Sequence, residues 1–511
     1  MSEKYIIGID SGTQSTRALL FDTRGKRVAA GSVQHPKMLT PQLGWVEHGK
    51  NDIANGLREA VADMFGNFKG SKEDIIAIGL AAQRCVVIAL DENDTMLYNP
   101  LSWMDERWKM NFASMGKIET DVEDPLYKGF FPYFSKVNWF KQNLPEVYAK
   151  ASKFFGVTGY LGYKITGSFC ESISNSLGWP YDLINWKEFD TDAEIELMGM
   201  RRDQLAEPVL AGTVIGKVSS RGAVDFGLPE GVPVVMGTGD KQSELLGAGA
   251  INHGQAYITL GTLSGLDIVC QDYKPSPNFS YSMFLSACPK LYHFEAAIQK
   301  GFWLISWFRD NFCGGLKADA EAQGISIEEL LNREATKVPP GADGLVVLPD
   351  WSPVGSRPNS KGIYMGFDDR HGRAHMFRAL LEGLIIQIKM SSDHTAEQLG
   401  LPIKELYIGG GGSKSNLCAQ IISDIFGVPV NRVGESENCS LGAAMCAAVG
   451  IGVYADLSAA VKNMASTTDQ FQPNKEHYDF YDALSKNVIQ KIYPALENVL
   501  KDLSALKVPG K

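Results

Sequence analysis

The chain writes one short phrase twice. Near its start it reads Tyr5-Ile6-Ile7-Gly8-Ile9-Asp10-Ser11-Gly12-Thr13, with a second apolar run, Arg17 to Phe21, just beyond. About halfway along it reads Ala256-Tyr257-Ile258-Thr259-Leu260-Gly261-Thr262, again followed by an apolar run, ending at Val269. Two apolar runs around a small polar turn read as a β-hairpin. A Gly-Thr turn exposes backbone N–H groups and a hydroxyl, which suits a phosphate. Two copies, one in each half, imply two lobes that grip one nucleotide from both sides.

A length of 511 residues exceeds one ordinary core and implies several domains. The formal net charge of −10 argues against a nucleic-acid surface, and no cluster of Lys and Arg restores one. No apolar run approaches the ~18 residues of a membrane span, and no basic stretch with an apolar core precedes the first strand. Eight cysteines without a C-x-x-C pair read as scattered thiols in a reducing compartment, so a cytoplasmic location is expected.

Alternating apolar patterns predict strands over 5–9, 17–21 and 27–32, a helix over 50–65 with Asn51 as its cap, and strands over 75–81 and 86–90. The second half loosely repeats this plan, with strands over 255–259, 266–269, 291–296, 345–348 and 406–408. Its helices are expected over 302–311, 376–398, 416–426 and 440–449. Gly-rich sequence between Gly237 and Gly254 marks the break, giving domains 1–250 and 251–511 and an internal duplication.

Several positions carry chemistry. Gly12 lets backbone approach a phosphate, Thr13, Ser15 and Thr16 offer hydroxyls, and Asp10 is placed to hold Mg²⁺ through water. An ordinary hairpin with a solvated Asp is the plain alternative, and the second copy of the turn weighs against it. Asp240 ends an apolar strand at the head of a helical stretch, where it either takes a proton from a substrate hydroxyl or simply caps the helix. Gly409-Gly410-Gly411-Gly412-Ser413-Lys414-Ser415 lies between a strand and a helix, so it either seats a flat ring or phosphate or is a flexible loop. It is neither a Walker A loop nor a dinucleotide fingerprint. Gln83-Arg84 and Trp103-Met104-Asp105-Glu106-Arg107 offer a polyhydroxylated ligand charged hydrogen bonds and an apolar face, while Asp105 could equally form a structural ion pair with Arg107 or Arg84. His371 and His375 have i,i+4 metal-ligand spacing but no third ligand nearby, which favours a role in a surface helical turn.

Together these residues resemble the FGGY family of carbohydrate kinases, xylulokinases and glycerol kinases among them. The resemblance runs from about residue 5 to 455. It rests on Gly8-Ile9-Asp10-Ser11-Gly12-Thr13 with Arg17, on Gly44-Trp45-Val46-Glu47-His48, and on Trp103, Asp105 and Arg107. Gly239-Asp240, Leu260-Gly261-Thr262, Gly362 to Gly366 with His375, Ala379 and Glu382, and the four glycines from Gly409 complete it. It implies an α/β fold of two duplicated actin-like or hexokinase-like (ribonuclease H-like) lobes with a cleft between them, and ATP-dependent phosphorylation of a sugar or polyol.

By position, Asp240 resembles the general base and Asp10 the Mg²⁺ ligand. Gly12, Thr13, Gln14, Arg17, Gly261, Thr262, Gly411, Gly412 and Ser415 resemble the ATP-binding set. Gln83, Arg84, Trp103, Asp105, Tyr133, Asp240 and Lys241 fall where the acceptor binds. Cys85 stands where glycerol kinases carry Glu, and Arg84-Cys85 replaces the Met-His pair of xylulokinases. A ketopentose such as D-xylulose is the leading acceptor, glycerol or a small polyol the alternative, and an actin-like ATPase switch the alternative of another class. The partners expected are a small-molecule substrate and a second copy in a homodimer, with no nucleic acid or membrane.

Overall fold

The computed structural model describes residues 3–506 apart from 176, 262–263, 277–280, 299–300 and 352–356. The chain forms two compact units. The first comprises Met1–His253, Val269–Phe294 and Glu437–Ser466; the second comprises Gly254–Ile268, Glu295–Ser436 and Thr467–Lys511.

The first unit opens as its alternation predicts, with strands β1 (Tyr5–Ser11), β2 (Ser15–Asp22) and β3 (Arg27–Gln34). The β1–β2 hairpin pairs Asp10 with Arg17 and Ser11 with Thr16, and the Gly12 N–H donates to the Ser15 carbonyl at 2.9 Å to close the turn. Helix α1 (Asp52–Asn67) buries Ile53, Leu57, Ala60, Val61 and Met64 along one stripe. Asn51 does not cap it with its side chain. Asp52 instead accepts the Gly49 N–H at 2.7 Å, tying down the loop before the helix.

Strands β4 (Ile75–Ala82), β5 (Val214–Lys217) and β6 (Pro233–Gly239) complete a sheet of order β5-β6-β4-β1-β2-β3. Strands β1, β4 and β6 run parallel, and their register aligns Ser11 and Gly239 with Ala82. Asp10, Gln83 and Asp240 therefore arrive together at the carboxyl ends of three neighbouring strands, the usual place for a ligand in an open α/β sheet. The helix Asn438–Gly450 crosses one sheet face. A Cβ at Gly8 would run into the Ser440 carbonyl, and one at Gly79 into that of Ala443, so only glycine admits the helix this closely. Gly79→Val is expected to cost ~3 kcal/mol or more, read as a lower denaturant midpoint.

The second unit repeats the plan. Strands β7 (Gln255–Leu260) and β8 (Ser264–Cys270) form the second hairpin. Strand β9 (Glu405–Gly409) runs parallel to β7, β10 (Val430–Val433) parallel to β9, and β11 (Thr467–Phe471) antiparallel to β10. In both units a hairpin is thus extended by two parallel strands and an antiparallel one, as expected of a duplicated α/β lobe. Helices α2 (Asp240–Ala248), α3 (Trp303–Phe312), α4 (Ile327–Ala335), α5 (Arg373–Leu399) and α6 (Asn416–Phe426) lie close to their predicted spans where a span was predicted. No helix among the described residues is long and apolar enough to cross a membrane.

Candidate functional site

At the carboxyl edge of the first unit, Asp10 is 6% exposed. Its Oδ2 accepts from Arg17 Nη1 at 3.3 Å, and Arg17 Nε also pairs with Glu437 at 3.0 Å. Asp10 Oδ1 is buried and makes no hydrogen bond among the described residues. Burial pushes the Asp10 carboxyl up to about 6; Arg17 and a hydrogen bond from the Cys439 thiol oppose that rise, while the fields of Asp240 and Glu244 add to it. A buried carboxylate whose Oδ1 has no geometric hydrogen-bond partner among the described residues, in the field of further carboxylates, fits a hard divalent cation such as Mg²⁺.

Asp240 is the first residue of α2, after the cap residue Gly239. Its Oδ1 accepts from Arg84 Nε at 3.1 Å and from the Lys241 N–H at 2.9 Å, and its side chain keeps 30% exposure. The Arg84 guanidinium lies 4.3 Å over the Phe284 ring. Lys241 Nζ pairs with Glu244 at 2.7 Å. A partly exposed carboxylate fixed by a flat cation is equipped to accept a proton from a hydroxyl brought against it.

The remaining acceptor-side candidates make contacts within the first unit. Gln83 is fully buried: its N–H donates to Ser11 O at 2.9 Å and its Nε2 to Gly12 O at 3.1 Å, bracing the first turn from below. Trp103 Nε1 donates to Thr13 Oγ1 at 2.9 Å from a partly exposed indole. Thr16 is turned inward, its Oγ1 2.8 Å from His35 Nε2, and Gln14 is exposed at the tip.

Asp105 makes the ion pair with Arg107 that its spacing left open. Its carboxylate is fully buried and occupied by Arg107 Nη2 at 2.7 Å and the Val46 N–H at 2.7 Å. Arg107 in turn reaches Glu47 at 2.7 Å and lies 4.2 Å over the Trp45 ring. The Tyr133 hydroxyl donates to Gly116 O at 2.6 Å and accepts from the Ile118 N–H.

The second unit holds a cavity of about 530 Å³ between the second hairpin, α3, α4 and the Gly-rich loop. Gly261, Gly411, Gly412 and Ser415 all line it, alongside Trp303 and Asn332. Gly410 takes the left-handed φ of +83°, and a Cβ on Gly412 would collide with the Phe302 ring. Ser415 caps α6 by accepting the Cys418 N–H at 3.1 Å, and it donates to Asn332 Oδ1 at 2.9 Å. Glycine backbone, aromatic wall and amide side chain together suit a flat heteroaromatic base. Thr262 lies outside the described residues. His375 Nε2 meets Asp343 at 3.2 Å, and the His371 ring accepts the Asp368 N–H, in keeping with roles in a helical turn.

Phe302, Trp303, Asn332 and Glu244 were not singled out from sequence. They sit on amphipathic helices or at helix ends without a motif, and Glu244 alone carried a signal, four residues after Asp240 on the same helix face.

Comparison with known proteins places this geometry. Residues 5–247 match the N-terminal domain, and 256–451 the C-terminal domain, of the FGGY family of carbohydrate kinases. The chain is 34% identical over 503 residues to an uncharacterized sugar kinase, YgcE, of Escherichia coli (strain K12), covering 98% of this chain and 96% of that one. An autoinducer-2 kinase of Enterobacter sp. (strain 638) is 26% identical, covering 94% and 92%. In fold, a xylulose kinase from Lactobacillus acidophilus superposes with a TM-score of 0.82 at 22% identity, over 98% of this chain and all of that one. A Plasmodium falciparum glycerol kinase with ADP gives 0.78 at 21% identity, over 96% and 98%.

Proposed function

The chain belongs to the FGGY family of carbohydrate kinases, and from that premise we propose that it transfers the γ-phosphoryl group of ATP to a terminal hydroxyl of a short keto sugar, a ketopentose such as D-xylulose. The observation that carries this reading is Asp240, a partly exposed carboxylate held by Arg84, in the same unit as the buried Asp10 whose Oδ1 has no hydrogen bond among the described residues.

Asp240 takes the proton of the acceptor hydroxyl, and Arg84 keeps it aimed. The turn Gly12-Thr13-Gln14 and Arg17 meet phosphate oxygens, and the cavity at Gly411 and Gly412 seats the base. Mg²⁺ on Asp10 would neutralise charge on the phosphates. Positioning and charge neutralisation suffice, since phosphoryl transfer asks little covalent help from the protein.

The autoinducer-2 kinases that resemble the chain along most of its length supply a second acceptor reading, and glycerol a third. Family membership sets aside an ATPase switch without an acceptor. A coupled ADP-release assay across D-xylulose, other pentuloses, hexuloses, glycerol, tetritols and autoinducer-2 tests the proposal. D-xylulose is expected to give the highest kcat/KM. A tenfold preference for another acceptor overturns the substrate, and ADP release indifferent to every sugar overturns the kinase role.

A further inference from the structure

Strand β4 is followed by three residues that each hold a different part of the site. Gln83 braces the first turn, Arg84 grips Asp240, and the Cys85 carbonyl accepts from Lys136 Nζ at 2.9 Å. Cys85 adopts a left-handed backbone, φ +60°, a conformation costly for any residue with a Cβ.

Lys136 is an uncomfortable residue. It is 2% exposed, and no carboxylate lies within ion-pairing distance of it among the described residues. It is also the first residue of the helix Lys136–Asn143, where a positive charge opposes the helix dipole. Burial pushes its ammonium below the usual lysine range; the fields of Cys85 and then Asp105 oppose this and that of Arg107 adds to it. Asp105 offers no ion pair, because its carboxylate is occupied by Arg107. Among the described residues the Lys136 ammonium makes one hydrogen bond, to the Cys85 carbonyl, and it lies 5.0 Å over the Phe134 ring.

We propose that Lys136 is a positioning residue for the acceptor site: its buried ammonium holds the left-handed turn at Cys85 and so keeps Arg84 on Asp240. The charge-assisted bond offsets the backbone strain at Cys85, next in the chain to Arg84, whose side chain meets Asp240 and the Phe284 ring. The proposal rests on the reading of Asp240 as base, and it predicts that Lys136 acts through Arg84.

Two measurements test it. Hydrogen exchange needs no substrate: in Lys136→Met, the amides of 83–87 are expected to exchange about tenfold faster while α1 and α6 keep their protection. In steady-state kinetics with the best acceptor, Lys136→Met is expected to raise the acceptor KM and lower kcat, each about tenfold, with the ATP KM within twofold of the parent. Lys136→Arg should recover most of the loss, and Lys136→Met/Arg84→Ala should be no slower than Arg84→Ala alone. Unchanged exchange at 83–87, or losses that multiply in the double variant, overturn the proposal. If no acceptor is phosphorylated, the functional reading fails and the exchange experiment still decides for or against the hold on Cys85. Should Lys136→Met not fold, the same comparisons are made with Lys136→Gln.

Discussion

Asp240→Asn is expected to lower kcat by roughly 10²–10⁴-fold, with the far-ultraviolet circular dichroism spectrum and melting temperature close to the parent's. Asparagine keeps an acceptor oxygen for Arg84 Nε and the Lys241 N–H, so the local hydrogen bonds survive. What disappears is the lone pair basic enough to take a hydroxyl proton. The first turn of α2 also loses a charge that favours the helix dipole, worth only ~0.3–1 kcal/mol at a partly exposed position. Calorimetric titration with ATP should give an affinity within about threefold of the parent, since the cavity of the second unit is untouched. A variant with kcat within tenfold of the parent would mean that another group is the base.

Asp10→Asn is expected to reduce transfer by about 10²-fold or more, in keeping with loss of an electrostatic stabiliser of the transferring group, and at the same time to make the metal-free protein more stable above pH 7. The folded-state carboxyl titrates at about 6 against an ordinary 3.8, so the fold binds this proton more tightly than the unfolded chain does. Stability tied to Asp10 is therefore fully present below about pH 4 and is lost as pH rises through 6. Above that, the buried charge costs up to about 3 kcal/mol. Asparagine removes the charge, so the gain should appear at pH 8 and vanish near pH 4. Adding Mg²⁺ at pH 8 should raise the melting temperature of the parent and leave the variant unmoved. A variant that melts below the parent at pH 8 without metal, or that gains equally from Mg²⁺, would remove Asp10 from the cation site.

Much of the frame was legible before any coordinates. Both hairpins, the parallel strands 75–81 and 406–408 and the helices around 416–426 and 440–449 follow from local periodicity and from turn glycines. The structure then places Asp10, Gln83, Arg84 and Asp240 at one sheet edge, because the register of β1, β4 and β6 brings three strand ends level. The cap at Asn51 did not form, since the neighbouring Asp52 carboxylate holds the loop instead.

What the amino-acid order determined by itself is the class of fold and the residues eligible for chemistry. Alternation, helical period and Gly-Thr turns are properties of neighbours along the chain. The tertiary structure alone decided how those residues are used. It spent Asp105 on Arg107 and Tyr133 on Gly116, turned Gln83 and Trp103 into braces for the first turn, and joined Asn332 to Ser415 and Lys136 to Cys85. Most of these pairs stand tens of residues apart, and which polar atom is left for a ligand depends on which partners packing has already supplied. A buried polar group must find a partner within the fold. Asp10 Oδ1 has none among the described residues, and Asp240 keeps part of its carboxylate open, and only the folded arrangement singles these two out.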